Sequence, residues 1–289
     1  MKPYKPSGKA PASGIMRLGL STVIGNIVAG GLIHLLGRLI YVILVFPLLM
    51  GATAGGLAFA ASYGGKIRNP LLTVAAGLLG GLCIYGTTHG ADYVVFRSES
   101  GARVDELLEE RVGESGFVGY LKYSAQQGVS IGKIGRDGIN LGETGTWVYW
   151  LIELAIIEMV AGAIAYGAAS QVFCEKCSEW YDSATPIGGV SPEKGNVFLE
   201  ALKAQNFSQA AQSIGPVLSN TNSSLKISHC LCPACREEGE ILLSVAEDRT
   251  DKNGNNLWSK TVKEELLTPR EYQQFMAAIP TQSADSEQV

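Results

Sequence analysis

Charge is scarce in this chain. Only 17% of its 289 residues are Asp, Glu, Lys or Arg, where soluble domains average about 25%, and the deficit argues against a wholly soluble globule. Histidine is scarcer still, and three in the whole chain leave little room for ordinary acid–base catalysis. A basic surplus is missing too. A net charge of −4 and a pI near 5.5 argue against nucleic acid as a partner. There is no Walker A motif, nucleophile elbow, His-Glu-x-x-His or glycosidase-like carboxylate pair, so these reactions lack their residues. No repeat at a fixed period is evident, which excludes a solenoid. The chain therefore reads as a binding protein in preference to an enzyme.

What the chain has is long apolar runs and glycine. Mean hydropathy is +0.15, and most of the 35 glycines precede residue 170. The governing stretch is Trp147–Cys177. Its aromatics, Trp147, Tyr149 and Trp150, suit a headgroup zone, and about twenty mostly apolar residues follow, enough to cross a bilayer. It then runs into Cys174 and Cys177. One helix thus joins a membrane half to a soluble, cysteine-bearing half. The expected fold class is an α-helical membrane bundle of about four transmembrane helices followed by a small α+β zinc-ribbon-like domain.

Along the chain, residues 1–14 are rich in proline, lysine and glycine and are expected to be disordered. The membrane domain is expected over 15–170. The apolar stretch 18–61 is too long for one span and suits two. A break at His34–Arg38 gives spans near 18–36 and 39–61, with Pro47 kinking the second; a break at Pro47 is the alternative. A third span is expected near 71–95 and a fourth at 147–169, with a polar connection at 97–145. A zinc-ribbon-like domain is expected over 171–279 and a disordered tail over 280–289. Lysines and arginines before residue 18 and at Lys66 and Arg68 set both termini in the cytoplasm by the positive-inside rule. The basic residues of 97–145 count against this, less heavily because that connection is long.

Two constellations could carry chemistry. The first is the pair of C-x-x-C motifs, Cys174/Cys177 and Cys232/Cys235. Each such turn aims two thiolates at one point, and two turns make a four-cysteine zinc site with a closed, structural coordination. The insert between the pairs is longer than a compact ribbon uses, and helices near 192–205 and 207–214 are expected to fill it. Cys230 is a spare thiol, and His229 is a possible substitute ligand. A metal-free buried cysteine set and a Cys232/Cys235 dithiol redox site are the other readings, although no thioredoxin-like βαβ pattern surrounds the latter.

The second constellation is charge within the spans. At about 1.5 Å per residue, Glu153 lies about 9 Å and Glu158 about 16 Å beyond Trp147. Arg38 and His34 stand at a depth compatible with Glu153. Ionisable groups in spans mark functional-site candidates, although an ion pair fixing the bundle also accounts for them. Gly51/Gly55, Gly77/Gly81, Gly86/Gly90 and the Ala/Gly run of 161–169 read as tight helix-packing surfaces, within one bundle or in a homo-oligomer.

Three patches together, GGKIRNPLL (64–72), GINLGETGTWVYWLIEL (138–154) and FCEKCSEWYD (173–182) with CPAC (232–235), resemble bacterial multi-pass membrane proteins that carry a cytosolic zinc-ribbon-like C-terminal domain. The resemblance implies a bacterial inner-membrane setting. It supports Cys174, Cys177, Cys232 and Cys235 as the metal set and brings no activity with it. The expected function is a membrane-anchored binding or scaffold protein with the lipid bilayer and a protein as partners. A small transporter or channel subunit and a membrane dithiol redox protein are the alternatives.

Overall fold

The computed structural model describes residues 1–39, 42–101, 103–131, 138–215, 224–250 and 256–280. The expected tail after Pro280 and the turn at Asn253-Gly254 lie outside the described residues. The chain divides into two units, Ser7–Ser170 and Met1–Pro6 with Gln171–Val289. Strand β1, Lys2–Pro3, belongs to the latter.

The unit Ser7–Ser170 is helical. Helix α1, Ala12–Leu20, continues through a π-helical turn at Ser21–Gly25 into α2, Asn26–Gly37. Helices α3, Val45–Gly64, and α4, Pro70–Ser100, follow. Two shorter helices, α5 at Val104–Val112 and α6 at Gly116–Gln127, lead to a small antiparallel pair, β2 at Ser130–Ile131 and β3 at Ile139–Asn140. Helix α7 spans Gly142–Ala169. Four of these segments, Ala12–Gly37, Val45–Gly64, Pro70–Ser100 and Gly142–Ala169, are long and apolar enough to cross a membrane. In hydrocarbon a helix satisfies every backbone polar group internally, and apolar side chains can face outward. Leu151, Ile152 and Met159 of α7 do so, each more than half exposed.

Close backbone approach packs the bundle. The buried residues Ile157, Ala161, Ala165 and Ala168 form a stripe along α7. A Cβ on Gly51 or Gly55 of α3 would press on the carbonyls of Ile157 or Ala161 at 2.7 and 2.8 Å. One on Gly77 of α4 would meet Ala165 Cβ at 2.7 Å. These glycines let van der Waals contact replace the hydrophobic effect that a bilayer does not supply between helices. Gly86 and Gly90 differ: a Cβ at either meets nothing within 4 Å among the described residues, so neither marks a close helix approach there.

Several expectations are corrected. Helix α2 ends at Gly37, within the expected His34–Arg38 break, but α3 starts at Val45, later than the second span was placed. Pro47 consequently sits in the first turn of α3, where a missing N–H breaks no helical bond, and it makes no mid-span kink. Residues 1–14 are not without structure, since β1 pairs in a sheet and α1 opens at Ala12. Helix α4 starts at Pro70, one residue before the expected span, with Asn69 Oδ1 accepting the Leu72 N–H at 3.0 Å. It runs to Ser100, and α7 begins five residues before Trp147. Arg68, counted from sequence among the charges that set orientation, is only 7% exposed. Its Nε donates to Ser7 Oγ at 3.2 Å and its N–H to the Lys9 carbonyl at 2.8 Å, so it holds the approach to α1.

The other unit begins with β4, Phe173–Cys174, and β5, Glu179–Trp180, which form a hairpin. Strand β6, Thr185–Val190, was not legible in the sequence, because Gly188 and Gly189 carry no strand propensity. Helices α8, Pro192–Lys203, and α9, Phe207–Gln212, come next. Then follow β7 at Ser224–Cys230, β8 at Ile241–Thr250, β9 at Asn256–Leu267 and α10 at Pro269–Ala277. The antiparallel sheet has the order β1-β9-β8-β7-β6. Helix α10 starts in a capping box between Thr268 and Glu271.

Phe198 and Leu202 of α8 and Phe275 of α10 bury against Ile227, Ile241, Leu243 and Leu267 of the strands. Each such side chain contributes roughly 1.5–3 kcal/mol on burial, so the sheet has stability apart from any metal.

Helix packing gives a first prediction. Gly55→Leu drives a side chain into the Ala161 carbonyl, and overpacking costs about 1–3 kcal/mol. Gly86→Leu meets open space. The thermal midpoint of the purified protein in detergent is expected to fall for the former and hold for the latter.

Candidate metal centre

The four C-x-x-C cysteines come together. The Sγ atoms of Cys174, Cys177, Cys232 and Cys235 all lie within 4.8 Å of one another. Cys174 Sγ and Cys235 Sγ are 3.9 Å apart. A tetrahedral ion with bonds of ~2.3 Å sets its sulfurs ~3.8 Å apart, so the cluster fits a four-thiolate metal ion.

Local backbone geometry explains the convergence. The β4–β5 hairpin carries the first pair and the β7–β8 connection the second. In both, the residue after the second cysteine takes a left-handed conformation: Ser178 at φ 55° and Arg236 at φ 44°. That turn folds the chain back so that the Arg236 N–H donates to the Cys232 carbonyl at 2.8 Å. The knuckles are joined by the Asp182 N–H, which donates to the Leu231 carbonyl at 2.9 Å. Tyr4 braces the first: its hydroxyl accepts the Phe173 N–H at 3.1 Å and donates to the Gln171 carbonyl at 3.0 Å. Phe173 and Trp180 pack edge to face, 4.8 Å between centroids.

Gly239 completes the cradle. A Cβ there would overlap Cys235 Sγ, so only glycine leaves room for the sulfur. Burial pushes the Cys232 thiol up, but the N–H groups of Cys235 and Ala234 and the neighbouring sulfurs outweigh it and hold the group below its ordinary value. Cys235 is pushed up to about 12 by burial and by the sulfurs of Cys232, Cys177 and Cys174. A cation bound among such thiols favours the thiolate form of each.

The neighbouring candidates fall outside the cluster. Cys230 is buried but is not among the converging sulfurs, and burial raises its thiol. His229 Nδ1 lies 3.2 Å from the Tyr272 hydroxyl, a partner in the sheet unit's own core.

In the helical unit, His34, Arg38 and Glu153 line one cavity of about 320 Å³. His34 Nδ1 pairs with Asp92 Oδ1 at 3.2 Å. Glu153 accepts from the Tyr149 hydroxyl at 2.5 Å, with the Tyr85 hydroxyl at 3.4 Å. Asp92, Tyr85 and His89 were not grouped with them from sequence, although their spacings of four and three residues put them on one face of α4. Glu158 stands apart from this cavity and packs on Gly81, where a Cβ would meet its Oε1 at 2.6 Å. Among the described residues that Oε1 has no hydrogen-bond partner.

Three outcomes test the centre. Gly239→Ala and Cys235→Ser are each expected to abolish stoichiometric metal in elemental analysis of the intact protein, while Cys230→Ser retains it. Arg236→Gly relieves about 1–2 kcal/mol of left-handed strain against roughly 0.5–1 kcal/mol of added unfolded freedom, so the melting temperature is expected to rise slightly. Ligation requires thiolates, so protons compete with the metal: retention against a competing chelator is expected to be complete at high pH and to fall as pH drops.

The chain matches no protein-family model, and comparison with curated proteins and with solved structures found no significant match.

Proposed function

We propose that the chain is a membrane-anchored binding or scaffold protein. Its four apolar helices hold it in a bacterial inner membrane, and the sheet unit, closed by a structural zinc ion, is offered to cytoplasmic protein partners. The observation that carries this reading is the convergence of four sulfurs beside a sheet with its own core. Four cysteine ligands leave no coordination position for water, which suits a structural ion over a catalytic one. Soft thiolates select zinc over calcium or magnesium.

Pairing of β1 with β9 supports an even number of spans, because a strand and its sheet occupy one side of a bilayer. The charges of Lys2, Lys5, Lys9 and Arg17 favour the cytoplasmic side. The dithiol alternative is the weaker one, since it calls for Cys232 and Cys235 to act as a pair apart from the other two. The transport alternative places Glu158 and an Arg38–Glu153 pair along a pathway; Arg38 and Glu153 line one cavity, and Glu158 is not among the residues lining it.

Photocrosslinkers placed in cells at the exposed positions Glu193 and Glu200 of α8 test the proposal. The expected result is one recurrent crosslinked protein, lost in Cys174→Ser at equal expression. Absence of any recurrent partner, together with ion flux in proteoliposomes that Glu158→Gln abolishes, overturns it in favour of transport.

A further inference from the structure

The cavity between α2, α3, α4 and α7 has features that anchoring does not need. Its innermost acid, Glu153, is only 6% exposed and accepts tyrosine hydroxyls. Around it stand aromatic groups: Tyr85 and His89 meet edge to face at 4.6 Å, and His89 and Trp150 at 5.1 Å. A carboxyl group in a cavity that Tyr85, His89, Tyr149 and Trp150 also line suits an ammonium group, through charge and through cation–π attraction to a ring face.

Arg38 supplies the opposite character. It follows the last turn of α2, is exposed, and lines the same cavity. Its guanidinium donates no hydrogen bond among the described residues, so its fork of donors is available to a phosphate. His34 Nδ1 and Asp92 Oδ1 meet at 3.2 Å on the same wall. A simple anion entering here would face Glu153 and Asp92, and a simple cation would face Arg38. A zwitterion satisfies both ends.

Depth narrows the source. Arg38 lies just past the end of an apolar helix, and Trp147 and Trp150 lie near the start of another. Helix ends and tryptophans mark the headgroup zone of a bilayer. The exposed apolar side chains of Leu35 and Leu36, beside Arg38 on α2, offer a surface for acyl chains.

We propose that this cavity binds a zwitterion bearing a primary ammonium and a phosphate, the chemistry of a phosphoethanolamine headgroup, with the ammonium at Glu153 and the phosphate at Arg38. The source is a bilayer lipid. This assignment is independent of the zinc reading of the sheet unit.

The intact protein, exchanged into nanodiscs of equal phosphatidylethanolamine and phosphatidylglycerol content, is released into native mass spectrometry. Retention of phosphatidylethanolamine at least several-fold over phosphatidylglycerol is expected. Glu153→Gln should bring that preference down to about one, and Arg38→Gln should lower retention of both lipids several-fold, because both carry the phosphate, with metal content unchanged in each. Displacement by millimolar soluble phosphoethanolamine would support the zwitterion site but assign it a soluble source. Equal retention of both lipids by the unaltered protein, a preference that survives Glu153→Gln, or retention unchanged in Arg38→Gln overturns the proposal. Should Glu153→Gln fail to fold, the preference of the unaltered protein and the loss of retention in Arg38→Gln, at the exposed rim, decide the matter.

Discussion

The contact of α3 and α4 with the small-residue stripe of α7 is the constraint on which the helical unit rests. A bilayer gives helices no hydrophobic reason to associate, so cohesion depends on how closely backbones approach. Gly51, Gly55 and Gly77 bring neighbouring helices onto the Ile157–Ala168 side of α7 at distances a Cβ would forbid. Everything polar in the bundle is then positioned by those contacts. Tyr85 reaches the Trp150 carbonyl at 3.2 Å because α4 lies this close to α7. The same closeness sets Glu158 against Gly81.

The sheet unit solves a different problem. Its two cysteine pairs are separated by a long insert, and chain entropy opposes bringing them together. The insert is built as folded structure: β6, α8, α9 and β7 form part of a sheet with a core of its own. The two knuckles converge beside this folded sheet, with the four sulfurs at a spacing close to that of a tetrahedral site.

Two ionisable groups of the bundle meet partners on other helices. His34 meets Asp92, and Glu153 meets the Tyr85 hydroxyl as well as that of Tyr149 on its own helix. Glu158 Oε1 has no hydrogen-bond partner among the described residues. Arg68 meets partners at the loop, where its bonds to the Lys66 carbonyl at 2.6 Å and to Ser7 turn a basic loop into a clasp. The arginine thus serves local structure as well as any topological role.

The features legible from sequence alone were those with a local physical cause. An apolar run near twenty residues marks a span because the bilayer forces each segment to close its own hydrogen bonds. The C-x-x-C spacing marks a ligand pair because the turn itself aims both sulfurs. Thr268-Pro269 marks a helix start because a side-chain cap acts within one turn. The remaining features were settled by contacts between segments distant in the chain. The pairing of β1 with β9, the burial of Arg68, the choice of Asp92 for His34 and the need for glycine at position 239 leave no local signature. Each depends on which surfaces meet, and only the tertiary structure decides that.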